Sequence, residues 1–399
     1  MLRRLAYFFV LLCCASRGLS GQDTWLVLPP VNETGDASLE WVGESVVEQF
    51  FAVLTQRGEL VVSRDARREA ESRLALRPYA PWTLASTIKL GEALDAHWIL
   101  TGSYQNQASA GAGMGRMSLT LQVVSLREFQ HVKVPVVEGA LETLASLEVK
   151  AAWRALQASG MGGLPPEEDF LASFPPADVR ALEAHVRGIL ATDEKVRQTY
   201  FEKALTADPA YGPAAYQLGR VLYNQEDYAA AGRTLARVRK NDRNYWQAQF
   251  LAGLAHSETG NFLAAAKAFE TVYKELPLPE VSNNWAGAQF RARSGEAKET
   301  MLRTLDGDDR DPHYHFNLGL VLMGEGQWIL AAEQFRAALA RLPEDEEATK
   351  MLGKCLRPPA RVEDQQRSEW GELFRLKTEL NEFAFRQLQM LLNRKLENL

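Results

Sequence analysis

The chain has 399 residues, of which 46% are hydrophobic and 24% charged, with 28 glycines and 17 prolines. This composition is ordinary for a folded protein of two or three domains; it excludes a disordered chain, a collagen and a protein with many membrane spans. Residues 1–20 hold three arginines and no acid, and the remaining 42 basic and 51 acidic residues give a net charge of −9. That charge argues against general nucleic-acid binding, which needs a basic face.

The first segment has the organisation of a secretory signal. Met1–Arg4 is a basic start, residues 5–14 are apolar, and residues 15–21 are small and polar. This is the order of the three regions of a cleaved signal peptide. The apolar stretch is about half as long as a membrane-spanning helix needs. We therefore expect export, with cleavage after Gly18 or Ser20; a tail or a core helix is the alternative interpretation.

The cysteines of this segment allow a second outcome. Leu11–Cys14 resembles a bacterial lipobox loosely, since neither Cys13 nor Cys14 follows the small residue that the motif requires. Cys14, or Cys13, is the candidate for lipidation. If the signal peptide over 1–20 is removed without lipidation, Cys355 is the one cysteine left, and one thiol makes neither an internal disulfide nor a metal site. Export with few cysteines favours a periplasmic or outer-membrane-associated bacterial protein.

Residues 22–145 predict a domain that mixes strands and helices. Five apolar or alternating runs have strand length: Trp25–Leu28, Leu60–Val62, His97–Tyr104, Met117–Leu126 and Val132–Val137. Apolar residues at helical spacing predict a helix over 39–54, and a polar helix is expected over 64–76. A further helix begins at Thr83 or Ser86, and a polar loop occupies 31–36. The element order β-α-β-α-α-β-β-β predicts one mixed sheet with helices packed on it.

Two stretches of this domain resemble a known module. They are Leu28–Glu33, directly after the first strand, and Leu90–Ser103, before and through the third strand. Both resemble the TolB-type amino-terminal domain, which is also seen in CsgG-like secretion proteins. In relatives this module makes protein contacts in the envelope and has no known catalytic residues. The resemblance thus implies a non-catalytic envelope protein.

A glycine-rich stretch, Gly111–Gly115, lies between the third and fourth strands. A phosphate-binding loop would need a Lys-Ser/Thr pair at its end and a helix after it. Here Arg116 and a strand follow instead. We therefore expect the tip of a hairpin.

The C-terminal half repeats with a period near 34 residues. Glycines recur at spacings of 34, 34, 32 and 34: Gly219, Gly253, Gly287, Gly319 and Gly353. An alanine stands twelve residues after three of them, and a large apolar residue stands four further on: Ala231, Ala265 and Ala331, then Leu235, Phe269 and Phe335. Prolines close three units: Pro209, Pro277 and Pro343. This pattern resembles tetratricopeptide repeats, which stack helix pairs into a solenoid.

The glycine and alanine positions predict the places where the two helices of a unit cross closely. Repeats are expected over 178–211, 212–245, 246–279, 280–311 and 312–345, with a half unit over 346–356. The fourth repeat departs from the pattern because Glu299 and Arg303 replace its alanine and phenylalanine. We expect a bend in the solenoid there.

Segments outside the repeats complete the predicted organisation. Residues 146–177 read as a helix followed by a linker rich in glycine and proline. After Pro358-Pro359, a last helix is predicted over 363–397. Its apolar stripe comprises Trp370, Leu373, Phe374, Leu380, Ala384, Leu388, Leu391 and Leu392. This helix would either cap the last repeat or bind a partner.

The sequence offers little that indicates catalysis. His313 and His315 are two residues apart, so on a helix they face different directions and do not form a metal site. No Gly-x-Ser-x-Gly or His-Glu-x-x-His motif occurs in the mature chain. The acidic loop Asp306–Asp311 lacks the closing glutamate of a calcium loop, and Glu344–Glu347 reads as a solvated helix start. We expect no enzyme activity, no metal and no cofactor.

The resemblance to tetratricopeptide repeats implies a binding groove lined by the first helix of each repeat. Ten residues fall on groove-facing positions: Tyr216, Arg220, Tyr223, Asn224, Gln247, Phe250, Asn284, Arg291, Phe316 and Lys350. Aromatic residues and arginines are common interface anchors. Each of the ten could equally pack against a neighbouring helix or the C-terminal helix.

The expected fold class is α+β: an N-terminal mixed α/β sheet domain, then an all-α tetratricopeptide repeat solenoid with a C-terminal helix. We expect an exported adaptor that binds a protein or peptide partner of the bacterial cell envelope, without nucleic acid, and with membrane contact only through a lipid anchor. The alternative is a sensory or regulatory protein that binds a small ligand in the α/β domain. The oligomeric state is left open.

Overall fold

The structure, a computed structural model, describes residues 23–107, 114–359, 362–381, 384–385 and 387–388. The chain divides into two compact units, Met1–Leu190 and Ala191–Leu399. The predicted signal segment, with Cys13 and Cys14, lies outside the described residues. Among the described helices, none is both long and apolar enough to cross a bilayer.

In the described part of the first unit, seven strands form one sheet. They are β1 (Thr24–Val27), β2 (Val31–Asn32), β3 (Leu60–Val61), β4 (Trp98–Gln107), β5 (Arg116–Ser125), β6 (Gln130–Lys133) and β7 (Val137–Ala140). The strand order is β3-β1-β4-β5-β6, with β2 beside β4 and β7 beside β5. β1 pairs in parallel with β3 and β4, whereas β5 is antiparallel to β4, β6 and β7. The predicted mixed sheet is confirmed.

Six α-helices accompany the sheet in the described part of this unit. They are α1 (Trp41–Gln56), α2 (Arg64–Arg73), α3 (Leu84–Ala93), α4 (Leu144–Ala158), α5 (Glu167–Ala172) and α6 (Val179–Leu190). Ser63 and Thr83 begin α2 and α3, because their side chains accept hydrogen bonds from the Ala66 and Ser86 amides. Of the two predicted starts of α3, Thr83 is therefore the cap.

The structure differs from the predicted elements of this unit in two strands. The predicted loop over 31–36 contains the short strand β2, which pairs with β4. The predicted strand Val132–Val137 is divided into β6 and β7 around Pro135. Proline has no N–H to donate to a strand ladder, so the pairing ends there and resumes after it.

The segment predicted to join the domains contributes to the first unit instead. In α4, Leu144, Ala151 and Ala155 are fully buried, and the helix packs on α1, β5 and β7. α6, expected to open the first repeat, also packs on α1 and α4. The predicted repeat over 178–211 is thus divided between the two units, because the apolar face of α6 is covered by α1 and α4.

In the described part of the second unit, all regular elements are helices. They are α7 (Glu194–Ala207), α8 (Gly212–Asn224), α9 (Tyr228–Leu235), α10 (Tyr245–Glu258), α11 (Phe262–Glu275), α12 (Pro279–Arg291), α13 (Ala297–Gly307), α14 (Pro312–Gly324), α15 (Trp328–Arg341), α16 (Glu346–Leu356) and α17 (Asp364–Glu372). From α7 to α16, each helix packs on the next one along the chain. Helices α7, α11 and α15 end two residues before Pro209, Pro277 and Pro343, as the pattern predicts.

Glycines stand where the paired helices of three repeats cross. A Cβ added at Gly219, Gly253 or Gly319 would lie 2.5 to 2.7 Å from the side chain of Leu235, Phe269 or Phe335, respectively. Each of these side chains stands sixteen residues after its glycine, on the second helix of the repeat. The predicted close crossings are confirmed at these three positions.

The fourth repeat differs at this crossing. A Cβ added at Gly287 would meet Phe374 at 2.7 Å and Leu376 at 3.0 Å. Arg303, the residue at the phenylalanine position, is exposed and forms an ion pair with Glu299 at 2.7 Å. The position beside the glycine, which Leu235, Phe269 or Phe335 fills in the other three repeats, is therefore taken up by Phe374 and Leu376 from the C-terminal part of the chain.

The predicted helix over 363–397 is wrong in its central part. α17 ends at Glu372, and residues 373–381 are not helical. The Arg375 and Lys377 amides donate to the side chains of Asn317 and Asn284, at 2.9 and 2.7 Å, and so are not available to a helix. Residues 384–385 and 387–388 are helical again, while Leu391 and Leu392 lie outside the described residues.

The repeat packing predicts the effect of enlarging Ala331, which is fully buried in α15. Ala331→Leu should destabilise the second unit by about 1–3 kcal/mol, because the added carbons have no space to occupy. Ala340→Leu on the exposed face of the same helix is the control. Urea denaturation of both variants measures the difference, and equal stability would show that the repeat register is misplaced.

Candidate functional site

A non-helical stretch of the chain lies across the first helices of the fourth and fifth repeats. We call residues 373–381 the tail segment. It follows α17 directly, and α17 itself packs on α12 and α14. From there the tail segment runs back along the array, so that Arg375 meets α14 and Asn381 meets the start of α12.

Side-chain amides hold the backbone of the tail segment. Asn317 accepts a hydrogen bond from the Arg375 amide and donates one to the Arg375 carbonyl, both at 2.9 Å. Asn284 does the same for Lys377, with both distances 2.7 Å. Asn283 adds a bond to the Arg375 carbonyl at 3.0 Å and receives one from Asn317 at 2.7 Å. All three asparagines are completely buried, so leaving their amide groups without a partner would be costly.

Acidic side chains meet the basic residues of the tail segment. Asp345 accepts hydrogen bonds from both terminal guanidinium nitrogens of Arg375, at 2.5 and 2.8 Å. Asp311 accepts one from the Lys377 ammonium group at 2.5 Å. Glu280 accepts from the Asn381 amide at 2.5 Å. The hydrogen bonds from Arg375 hold the pKa of the Asp345 carboxyl below its usual range. Two of the three acids thus pair with basic side chains of the tail segment.

Apolar and aromatic contacts complete the site. Phe374 is buried and stacks on Phe290 of α12, with ring centroids 6.3 Å apart. The Arg375 guanidinium lies over the ring of Phe316, 3.6 Å from its centroid. Trp370 of α17 packs edge-on against Trp328 of α15 at 6.0 Å.

Two successive repeats use equivalent positions to hold alternate residues of the tail segment. Asn284 and Asn317 are each the sixth residue of a helix that begins with proline, α12 and α14. Asp311 and Asp345 are the residues directly before α14 and α16, 34 positions apart, and each caps its helix. An extended chain turns every second side chain to the same face. Arg375 and Lys377 can therefore make the same contacts in neighbouring repeats.

The ten predicted groove residues divide into those near this segment and those elsewhere. Asn284 and Phe316 contact it directly. Phe250 is buried in a cluster that includes Phe385, and Arg291 lies over the ring of Phe262 at 4.2 Å, with its side chain beside Gly371. Their role in binding a partner stays a prediction.

The remaining predicted residues lie on other parts of the second unit. Arg220 approaches the ring of Tyr216 at 5.8 Å, and Tyr223 packs edge-on against Tyr228 at 5.2 Å. Gln247 is half-buried, whereas Asn224 and Lys350 are exposed. For these residues too, partner binding stays a prediction.

Five polar residues that the repeats contribute to the site were missed by sequence reasoning: Asn283, Asn317, Glu280, Asp311 and Asp345. The acidic run 344–347 was interpreted as a solvated helix start, yet Asp345 is buried and paired with Arg375. The signal that could have found them is the repeat period itself. Asn284 and Asn317 recur 33 residues apart on helix positions that packing alone does not require to be polar, and the helix caps Asp311 and Asp345 recur 34 residues apart.

The residues considered above as metal ligands, and not predicted to be so, make other contacts in the structure. His315 is buried and bonds to Gln334 and to the Asp309 carbonyl, both at 2.9 Å. In the acidic loop 306–311, Asp308 pairs with Arg310 at 2.9 Å. The described residues hold no group of three or more histidines, cysteines or acids placed for a metal ion.

The first unit contains a cleft of about 490 Å³. Its lining includes Tyr79, Trp82, Glu71 and Lys133. Close by, the Tyr79 hydroxyl donates to Glu44 at 2.9 Å. Burial raises the pKa of Glu71, although nearby arginines oppose the shift. The cleft has the size of a small-molecule site.

Comparison with known proteins identifies the repeats. Residues 198–255 and 316–357 match family models described as "Tetratricopeptide repeat". The chain therefore carries tetratricopeptide repeats, whose fold is that of a protein-interaction scaffold. Among curated proteins none matches significantly.

Solved structures with similar chains share little sequence with this one. YrrB, a tetratricopeptide protein with an unusual peptide-binding site, is 15% identical with a TM-score of 0.40, over 43% of this chain and 90% of that one. MamA from Desulfovibrio magneticus RS-1 is 19% identical with a TM-score of 0.37, over 42% and 95%. Lipoprotein GNA1162 from Neisseria meningitidis is 17% identical with a TM-score of 0.25, over 29% and 79%.

Proposed function

We propose that this protein is a non-catalytic scaffold whose repeat groove binds an extended segment of a partner protein. One observation carries the proposal: three buried asparagines of α12 and α14 form hydrogen bonds to the backbone of an extended chain. Burying an asparagine side chain costs free energy unless its amide group has a hydrogen-bond partner. Helix packing alone therefore gives no reason for three buried asparagines at this place. Such a set is suited to holding a polypeptide.

The proposal includes export to the bacterial cell envelope, in the periplasm or at the outer membrane. The basic, apolar and small-polar order of residues 1–21 supports export. The first unit would be a TolB-type domain that contacts envelope proteins, supported by Leu28–Glu33 and Leu90–Ser103. A lipid on Cys14 or Cys13 would be its membrane attachment. Sequencing the N-terminus of the exported protein tests this: we expect Leu19 or Gly21, or a lipidated cysteine, and an intact Met1 in the cytosol would contradict it.

The groove is tested by photocrosslinking in the native cell. A photoreactive amino acid is placed at Tyr216 or Gln247 on first helices, and at Leu263 or Ile329 on second helices, where both side chains are largely exposed. We expect protein adducts from the first pair, identified by mass spectrometry. Adducts only from Leu263 and Ile329 would move the binding surface to the second helices and contradict the proposal.

A second function is favoured by the cleft of the first unit, which could bind a small ligand and make this protein a sensor. Native mass spectrometry of the intact protein purified from its own cells decides between the two. A bound small molecule lost on Tyr79→Ala would favour the sensor. Unliganded protein that forms groove adducts favours the scaffold.

A further inference from the structure

We propose that the tail segment is a built-in, displaceable occupant of the groove, and that the partner presents the same pattern: an aromatic residue, Arg, an aliphatic residue and Lys in an extended strand. The proposal rests on the proposed function and names both the partner chemistry and its regulation. In the tail segment this pattern is Phe374-Arg375-Leu376-Lys377.

The contacts are of the kind that a second polypeptide can reproduce. The asparagines bind the amides and carbonyls of residues 375 and 377, and every extended peptide offers these groups. Selectivity then comes from the side chains. Asp345 and Asp311 select basic residues two positions apart, and Gly287 leaves room beside Phe374 for an aromatic ring.

The contacts also allow release. The Arg375 and Lys377 side chains are 22% and 23% exposed, so salt and water reach their ion pairs. Thr378 and Glu379 are exposed, and Leu376 is only half-buried. Phe374 is the one residue of the tail segment that is buried as deeply as a core side chain. A partner therefore competes against one aromatic anchor and a set of exchangeable polar bonds.

Occupation by the chain's own segment lowers the apparent affinity for a partner. The tethered segment has an effective concentration in the millimolar range, and a partner binds only the fraction of molecules whose groove is open. Weakening the tail segment should therefore increase affinity, whereas weakening the groove should decrease it. If the tail segment had only a structural role, weakening it would not increase the affinity for a partner.

The test measures binding of a labelled peptide with the sequence of residues 372–381 to the full-length protein, by fluorescence anisotropy. Wild type is compared with Arg375→Glu/Lys377→Glu, which alters the tail segment but leaves the groove intact. We expect the variant to bind at least about tenfold more tightly. The matched control, Lys195→Glu/Lys267→Glu, reverses two exposed charges elsewhere in the second unit. It should bind the peptide with the affinity of wild type. A peptide with glutamate at both basic positions should not bind.

Hydrogen exchange gives a second readout that does not depend on the variant. Millimolar peptide added to wild type should accelerate exchange of the Arg375 and Lys377 amides, while the amides of α14 stay protected. Unchanged exchange of these two amides would overturn the displaceable occupant. A concentration-dependent dimer lost in the charge-reversed variant would instead assign the segment to a second copy and also overturn it.

The outcomes separate this inference from the proposed function. Equal tight binding by wild type and the variant would show an open groove, so the inference would fail while the scaffold stands. If neither binds, and groove crosslinks still capture a partner, the basic pattern is wrong and the scaffold again stands. If no peptide binds and no groove crosslink forms, both fail.

Discussion

Asn317→Asp is expected to destabilise the second unit by about 1–3 kcal/mol and to release the tail segment. The substitution keeps the shape of the side chain but removes the NH₂ group that donates to the Asn283 side chain and to the Arg375 carbonyl. The Asn283 side-chain oxygen is then left unpaired in a buried site, which costs about 1–3 kcal/mol, whereas the Arg375 carbonyl keeps its hydrogen bond from Asn283. A carboxylate would in addition face two oxygens that it repels.

Urea denaturation measures the loss of stability, and hydrogen exchange of residues 373–381 reports release of the tail segment. Asn241→Asp is the matched control: this asparagine lies in the exposed connection between α9 and α10, and its change should stay within about 0.5 kcal/mol. If Asn317→Asp were as stable as wild type, the amide network would not be what holds the tail segment.

Glu148→Gln is expected to stabilise the first unit, increasingly so as the pH rises. Glu148 is fully buried in α4, and burial raises the pKa of its carboxyl to about 8, an effect that the Ser45 hydroxyl only partly offsets. The folded chain therefore holds a proton that the unfolded chain releases near its ordinary value of 4.5. Folding takes up this proton between the two values, so stability falls as the pH rises from about 4.5 to 8.

A glutamine stays neutral and should remove this pH dependence. Relative to wild type, Glu148→Gln should increase the free energy of unfolding by a few kcal/mol at pH 8, and this increase should disappear near pH 4. One unit of pKa shift corresponds to about 1.4 kcal/mol. Hydrogen exchange of the α4 amides at both pH values measures it. Glu128→Gln, at an exposed turn after β5, is the control. A pH profile unchanged by Glu148→Gln would mean that Glu148 is not buried as a neutral acid.

Some of the site could be predicted from the sequence, and some could not. Asn284 and Phe316 were placed on the inner helices because the repeat period fixes which residues face the groove. Asn317, Asp311 and Asp345 have the same periodic signal, but their significance depends on a ligand strand that no local pattern indicates. The tail segment was predicted as helix because Trp370, Leu373 and Phe374 have helical spacing, and spacing cannot show that the helix stops at Glu372.

By itself the sequence determined the mixed sheet and the stacked helix pairs, because alternation, the 34-residue period and small residues at helix crossings are local or periodic signals. Only the tertiary structure decided where α6 packs, what fills the space beside Gly287, and that residues 373–381 are not helical. The bonds that settle the last point join Arg375 to Asn317, 58 positions away, and Lys377 to Asn284, 93 positions away. A helix would use these same amides for its own backbone hydrogen bonds. In the structure they bond instead to side chains of distant repeats, and those side chains are brought together only in the folded solenoid.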